Sequence, residues 1–485
     1  MTRRASLLVA GTASNAGKSL ITTGLCRAFA RRGLSVAPFK AQNMSNNSTV
    51  ISCGPDSGDA AEIGRAQWVQ ALAARAAPEA AMSPVLLKPD SRHGSRVVLM
   101  GQAAGHLEAR DFGSGRDPLR ETAFAAFDDV TSRFDLVVCE GAGSPAEINL
   151  RDADYVNMGL ARHGHIPTVV VGDIDRGGVF ASLYGTLALL DAADQRLISG
   201  FIINKFRGDA SLLDPALERI TDLTSRPVFG VVPWHDDVWL DAEDTLSVPV
   251  PSNPSAAFRV RVISVPRAQN VTDADALGIE PGVDVRFVTA PRDCGDADLL
   301  ILPGSAAPAA DLRWLRSRGL DSMIMAHADA GRAVLGIGGG LTALGRSLAP
   351  HVGAPSAEPG LGLLDLHTTA SDDPAPRIAH GTAFGHPVTG YQIGHRHIEP
   401  ADSEPFPGGA REGQIFGTAW HGTMECDQFR RAFLAEITSR AGIELPASDV
   451  DFSQIRHARF DVLADLIEAH IDVDRLWDLA RGGAT

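Results

Sequence analysis

The chain has 485 residues, 44% of them hydrophobic and 21% charged, with a net charge of −15. That length exceeds what one compact core holds, so two domains are expected, and the acidic balance argues against nucleic acid as a partner. Five scattered cysteines without CxxC spacing speak against a disulfide framework or structural zinc and suit a reducing cytoplasm, while the apolar run after Arg3 and Arg4 is too short for a signal peptide or membrane span.

The first predicted strand, 7–10, runs into a small-residue loop that ends in Gly17-Lys18-Ser19, and helical periodicity follows through Leu20, Leu25, Ala28 and Phe29. Strand, loop and helix are the context that gives a GKS triplet its meaning as a phosphate-binding loop. Backbone N–H groups from Gly11, Thr12, Asn15 and Gly17 onward, with the helix N-terminus, cradle phosphate oxygens of ATP. Lys18 is placed to reach the β- and γ-phosphates and Ser19 to sit on Mg²⁺. Gly11 and Gly17 are separated by five residues, one more than the usual loop has.

Strand 35–38 leads into Lys40, Gln42, Asn43, Asn46 and Asn47, one cation among amide dipoles. This is either a polar loop or a site for an anionic ligand near the γ-phosphate. Strand 135–139 ends in Glu140, a carboxylate followed by small residues that can coordinate Mg²⁺ without obstructing phosphate. Strand 167–171 ends in a loop with Asp173, Asp175 and Arg176, suited to Mg²⁺ and to a carboxylate or phosphate oxygen. Strand 200–203 ends at Asn204, whose amide can read a purine edge, and strand 228–232 closes the series. Alternation with helices predicts a parallel α/β sheet, with functional residues at the carboxyl ends of strands.

These segments (the GKS loop with its extra spacer residue, PFKAQNMSNNS at 38–48, EGAGSPAEINL at 140–150, VGDIDRGGVF at 171–180, NKFRGD at 204–209) resemble the cobyric acid synthases, relatives of dethiobiotin synthetase. The resemblance implies an ATP-dependent amide ligase over 1–245. Its substrate would be a corrin, adenosylcobyrinic acid a,c-diamide, amidated at four peripheral carboxylates through acyl phosphates. Lys18 and Lys40 would neutralise the transferred phosphoryl group, Ser19 and Glu140 hold Mg²⁺, and Gln42, Asn43 and Arg176 face the substrate. Asp173 and Asp175 would bind metal or orient the incoming amine.

Residues 246–257, rich in Pro and Ser, read as a linker. Strand–helix alternation then restarts at 258–265, 284–288, 298–302, 333–337 and 415–420, which predicts a second α/β domain over 258–445 and a helical tail over 446–485 with Leu463, Leu466, Ile467, His470 and Ile471 on one face. Within it, Pro303-Gly304, the Gly-rich turn at 336–340 and His421 resemble the class I glutamine amidotransferase domain fused to cobyric acid synthases. There the strained turn reads roughly GICGGYQMLG, with Cys as nucleophile and a distant His as base.

This chain has Gly338 at the Cys position, and Leu341, Thr342 and Ala343 also depart from the pattern. The family's GYEIH segment is altered as well, with Gly394, His395 and His397 after Gly390–Ile393. A thiolate is needed to form the thioester from glutamine. Cys294 and Cys426 belong to the same domain but lie outside the turn. The expectation is a vestigial His421, no glutaminase activity, and a nitrogen donor that is free ammonia or ammonia from a separate glutaminase. The competing readings are an amide ligase for another carboxylate and a nucleotide-binding pseudoenzyme that regulates a true synthase. A partitioning-type ATPase is disfavoured because positions 10–12 are Ala-Gly-Thr and lack its signature lysine.

Overall fold

Runs such as Leu7–Ala10 and Val169–Val171 are fully buried. They are apolar on both faces because helices cover both sides of the sheet they enter. The computed structural model describes the chain apart from residues 1–4, 55–58, 90–93, 109–115, 236–239, 241–252, 254, 349–356, 371–374, 395, 401–402 and 483–485. Most of the expected linker and His395 therefore lie outside the described residues, as does the side chain of His397.

The first sheet contains β1 (Ala5–Gly11), β2 (Val36–Phe39), β3 (Leu136–Glu140), β4 (Thr168–Asp173), β5 (Ile198–Phe206) and β6 (Val228–Pro233). Its order is β6-β5-β4-β1-β3-β2 and every pairing is parallel. All six strands match the runs expected from sequence. The order reverses at β1, so the loop from β1 to helix α1 (Lys18–Arg31) opens onto the crevice where ligands bind in such sheets.

Between β2 and β3 lies structure that the apolar pattern did not announce. Asn43–Met44, Val85–Pro89, Gly94–Leu99 and Gln102–Glu108 form a four-stranded sheet, and Ser48–Ser52 pairs with Ala60–Gly64 as a hairpin. Helix α2 (Arg65–Ala73) follows the hairpin and brings two buried glutamines, Gln67 and Gln70, toward the end of β3.

The second domain is built on β7 (Phe258–Ile263), β8 (Val283–Val288), β9 (Leu299–Leu302), β10 (Ala333–Ile337), β11 (Glu404–Phe406), β12 (Gly409–Glu412) and β13 (Ile415–Thr418). Their order is β8-β7-β9-β10-β13-β12-β11, parallel through β13 and antiparallel beyond it. Helix α3 (Thr272–Gly278) follows β7, and the short helix α4 (Gly339–Leu344) follows β10.

The tail forms α5 (Phe452–His470) and α6 (Val473–Gly482), and both pack on the first domain. Leu463, Ile467, Ile471 and Leu476 join the core that contains Leu25, Cys26 and Phe29 of α1. Gly24 permits this close approach, since a Cβ there would lie 2.4 Å from Ile467 Cγ1. Arg27, almost buried, forms a bidentate pair with Asp461 at 2.8 and 2.7 Å. His470 is exposed, so the buried face is narrower than the sequence pattern suggested. Among the described residues no helix is long and apolar enough to cross a membrane.

Candidate active site

Gly17 sits at φ +99, left-handed, directly before α1, and a Cβ there would lie 2.0 Å from Asn204 Nδ2. Conformation and space both demand glycine. The Lys18 ammonium donates to the carbonyls of Ala13 (2.9 Å), Ser14 (3.2 Å) and Gly143 (3.1 Å). The loop is tied to the sheet by Thr12 N–H donating to Val171 O at 2.9 Å.

Glu140, at the end of β3, is the centre of a buried cluster. Its Oε1 accepts from Ser19 Oγ at 2.9 Å and from Lys40 Nζ at 2.8 Å, and its Oε2 accepts from Gln70 Nε2 at 2.5 Å. Lys40 reaches it because β2 and β3 are parallel neighbours that end together. The result is a hydroxyl, an ammonium and a carboxylate beside the phosphate loop, in a water-poor setting where charges act strongly. Gln70 was not visible as a site residue. Its only sequence signal is the i, i+3 spacing with Gln67.

Gln42 and Asn43 are also buried. The Gln42 carbonyl accepts from Arg116 Nη2 at 3.0 Å and from the Tyr155 hydroxyl, and Asn43 Nδ2 donates to Gln67 Oε1 at 3.1 Å. These amides brace the wall behind Lys40. Arg176 is exposed on the loop after β4. Asp173 accepts from the Asp175 N–H at 2.9 Å and from Lys205 Nζ at 2.7 Å, while Asp175 pairs with Arg207 at 3.2 Å. Asn204 Nδ2 donates to the Ala16 carbonyl at 3.0 Å.

In the second domain, β10 ends at a turn where Gly338 has φ +52 and ψ −110. Residues with a Cβ rarely adopt this conformation, which is one that strained nucleophile turns impose. A Cβ on Gly338 would lie 2.7 Å from His421 Nε2 and 2.9 Å from Cε1, and a Cβ on Gly304 would lie 2.6 Å from His421 Cε1. The imidazole thus lies between two glycine turns. Its ring stacks on Tyr391 at 5.5 Å between centroids. Burial, helped by the Lys88 charge, pushes His421 down to about 4, so it is neutral at pH 7. Asp273 holds the chain beyond it, accepting from Gly422 N–H (2.8 Å), Met424 N–H (2.9 Å) and Thr423 Oγ1 (3.2 Å).

The remaining thiols of this domain lie elsewhere. Cys294 contacts the Ala290 carbonyl at 3.5 Å and Cys426 the Thr389 carbonyl at 3.4 Å, and burial pushes both thiols up. The two domains meet next to His421. Asn270 Oδ1 accepts from Ser48 N–H at 2.9 Å, and Asn270 N–H donates to Asn47 Oδ1 at 2.7 Å. Glu425 accepts from Arg65 of the first domain at 3.0 Å and from Arg456 of α5 at 2.9 Å, which joins all three parts of the chain.

Residues 7–248 match the CobQ/CobB/MinD/ParA nucleotide binding domain, and residues 259–429 match the CobB/CobQ-like glutamine amidotransferase domain. The class is therefore a P-loop α/β nucleotide-binding domain joined to an amidotransferase-type domain. The chain is 56% identical over 482 residues to the cobyric acid synthase of Mycobacterium ulcerans, which covers 98% of this chain and 97% of that one. The cobyric acid synthase of Mycobacterium marinum matches with the same identity and coverage, and that of Mycobacterium tuberculosis is 54% identical over 485 residues, with 98% and 97% covered. The chain belongs to the cobyric acid synthase family.

Proposed function

We propose that this chain uses ATP to amidate the peripheral carboxylates of adenosylcobyrinic acid a,c-diamide, giving adenosylcobyric acid in cobalamin biosynthesis, with free or partner-derived ammonia as nitrogen donor. The observation that carries this reading is the contrast between two sites. Around Glu140, Ser19, Lys40 and Gln70 are assembled beside a complete phosphate loop. At Gly338 there is no nucleophile, and the imidazole of His421 occupies the space that a Cβ would enter.

A carboxylate does not react with ammonia directly, because oxide is a poor leaving group. Transfer of the γ-phosphoryl group to a corrin carboxylate oxygen releases ADP and leaves an acyl phosphate. Ammonia then adds to the acyl carbon, the bond to the phosphate oxygen breaks, and the surplus proton leaves to phosphate or water. Lys18 and Lys40 offset the charge on the transferred group, and the loop N–H groups fix its position.

Ser19 Oγ and Glu140 Oε1, 2.9 Å apart, fit Mg²⁺, which takes few protein oxygens and completes its shell with water and phosphate. Among the described residues no group of three or more His, Cys, Asp or Glu is placed to hold a metal. Bound by Ser19 and Glu140, the ion would supply charge neutralisation for the transferred phosphoryl group. All five cysteines are free, which suits a reducing cytoplasm.

The test is to incubate the full chain with ATP, Mg²⁺ and the a,c-diamide, with ammonia or with glutamine, and to follow the corrin mass. The stepwise mass decrease of amidation, each carboxyl OH replaced by NH2, seen with ammonia and absent with glutamine supports the proposal. Robust glutamate release that resists thiol alkylation overturns the loss of glutaminase activity. No product with either donor favours a nucleotide-binding pseudoenzyme.

A further inference from the structure

The carbonyls of the phosphate loop have to point away from the phosphates for its N–H groups to point toward them. In this chain three side chains account for four consecutive carbonyls. Lys18 Nζ takes Ala13 and Ser14, Lys205 Nζ takes Asn15 at 2.6 Å, and Asn204 Nδ2 takes Ala16 at 3.0 Å. On the reading of this loop as an ATP site, Lys18 has to leave the first two carbonyls to meet the phosphates. Of these side-chain anchors, the two on Asn15 and Ala16 then remain, beside the Ala16 N–H that donates to Ala13 O at 3.4 Å.

Lys205 is built for that position. It lies near the end of β5 with φ +64, a left-handed conformation that a lysine adopts only at a cost. Its ammonium is fixed from the other side by Asp173 Oδ2 at 2.7 Å, and Asp173 is itself oriented by the Asp175 N–H at 2.9 Å. The carboxylate thus holds the ammonium at the Asn15 carbonyl.

We infer that Lys205 is a positioning residue for ATP: it pins the Asn15 carbonyl outward, in the five-residue spacer that sets this loop apart, with Asp173 as its counter-ion. Asp173 then acts through Lys205 and not as a metal ligand.

The pin is tested on the full chain with Lys205→Met, Lys205→Arg and Lys205→Gly, by calorimetric titration with ATP, by KM for ATP against kcat, and by thermal melting. Lys205→Met is expected to weaken ATP binding about ten-fold or more, as loss of a charged hydrogen bond does, and to raise the KM for ATP more than it lowers kcat. Lys205→Arg, which can still donate to both oxygens, is expected to recover most of the affinity. Lys205→Gly relieves the left-handed strain, so it should melt no lower than Lys205→Met and yet bind ATP as weakly.

That opposition between stability and affinity is not produced by a merely structural lysine. Wild-type affinity in Lys205→Met overturns the pin. So does an affinity loss that follows melting temperature across the three variants. If the wild-type chain itself binds no ATP, the reading of the loop fails, an outcome distinct from failure of the pin.

Discussion

Gly338→Ala puts the crowding at the amidotransferase turn to a quantitative test. A Cβ at φ +52 and ψ −110 carries backbone strain of about 1–3 kcal/mol. It would also meet the imidazole at 2.7 and 2.9 Å, against ordinary contacts of 3.4–4 Å. The ring cannot retreat freely, since Tyr391 stacks on it and Gly304 lies against it. Overpacking of this kind adds about 1–3 kcal/mol.

Together these terms, about 2–6 kcal/mol, lower the melting temperature of a domain this size by about 4–24 °C, at 2–4 °C per kcal/mol. His421→Ala removes the contact and leaves the strain, so a double-mutant cycle followed by thermal melting should show a coupling of about 1–2 kcal/mol between the two sites. Gly338→Cys should behave like Gly338→Ala and remain unable to hydrolyse glutamine while the imidazole stays in place. A Gly338→Ala chain that melts with the wild type, or a cycle with no coupling, refutes the reasoning.

Lys18→Ala should abolish amide formation in the corrin mass assay while leaving thermal melting near wild type, because its partners are loop carbonyls that water can serve. Gly24→Ala should lower the melting temperature despite the better helix propensity of alanine, worth about 1 kcal/mol, because its Cβ would fall 2.4 Å from Ile467 Cγ1. The loss should largely disappear in an Ile467→Ala background. Burial raises the Asp273 carboxyl from its ordinary 3.8 to about 6. The folded chain therefore keeps a proton that the unfolded chain gives up, and this contribution is present at pH 3–4 and lost as pH rises through 6. In Asp273→Asn, melting temperature measured from pH 4 to 7 should fall less steeply than in the wild type.

What the sequence disclosed was what local chemistry determines. Strands such as Val169–Val171 are apolar on both faces, and the Gly17-Lys18-Ser19 turn reads from its own neighbours, although Asn204 also limits the space at Gly17. The folding of 43–108 escaped because its strands are short, carry no sustained apolar run and pair mostly as local hairpins outside the strand–helix alternation. Distance along the chain hid Gln70 and Lys205. Gln70 meets Glu140 across 70 positions and Lys205 meets Asn15 across 190, and neither contact leaves a periodic trace. Gln42 illustrates the converse case: a polar residue after a strand reads as a ligand contact, and folding turns it inward to Arg116 and Tyr155. The apolar stripe at 463, 467 and 471 was legible, but the surface that it covers, helix α1, was not.

The docking of α5 and α6 on α1 has a consequence for synthesis. The first sheet is complete once β6 has left the ribosome, yet the flank of α1 around Phe29, which meets Trp477 at 6.1 Å, stays bare until α6 emerges. At about 5–20 residues per second that interval is roughly 10–50 s, and the whole second domain is made within it. The ATP-binding half is thus closed by the segment made after its partner, so cleaving the chain between the domains would not yield an independent ligase. Nascent chains that stall within the second domain would carry an exposed apolar face, a natural target for chaperones.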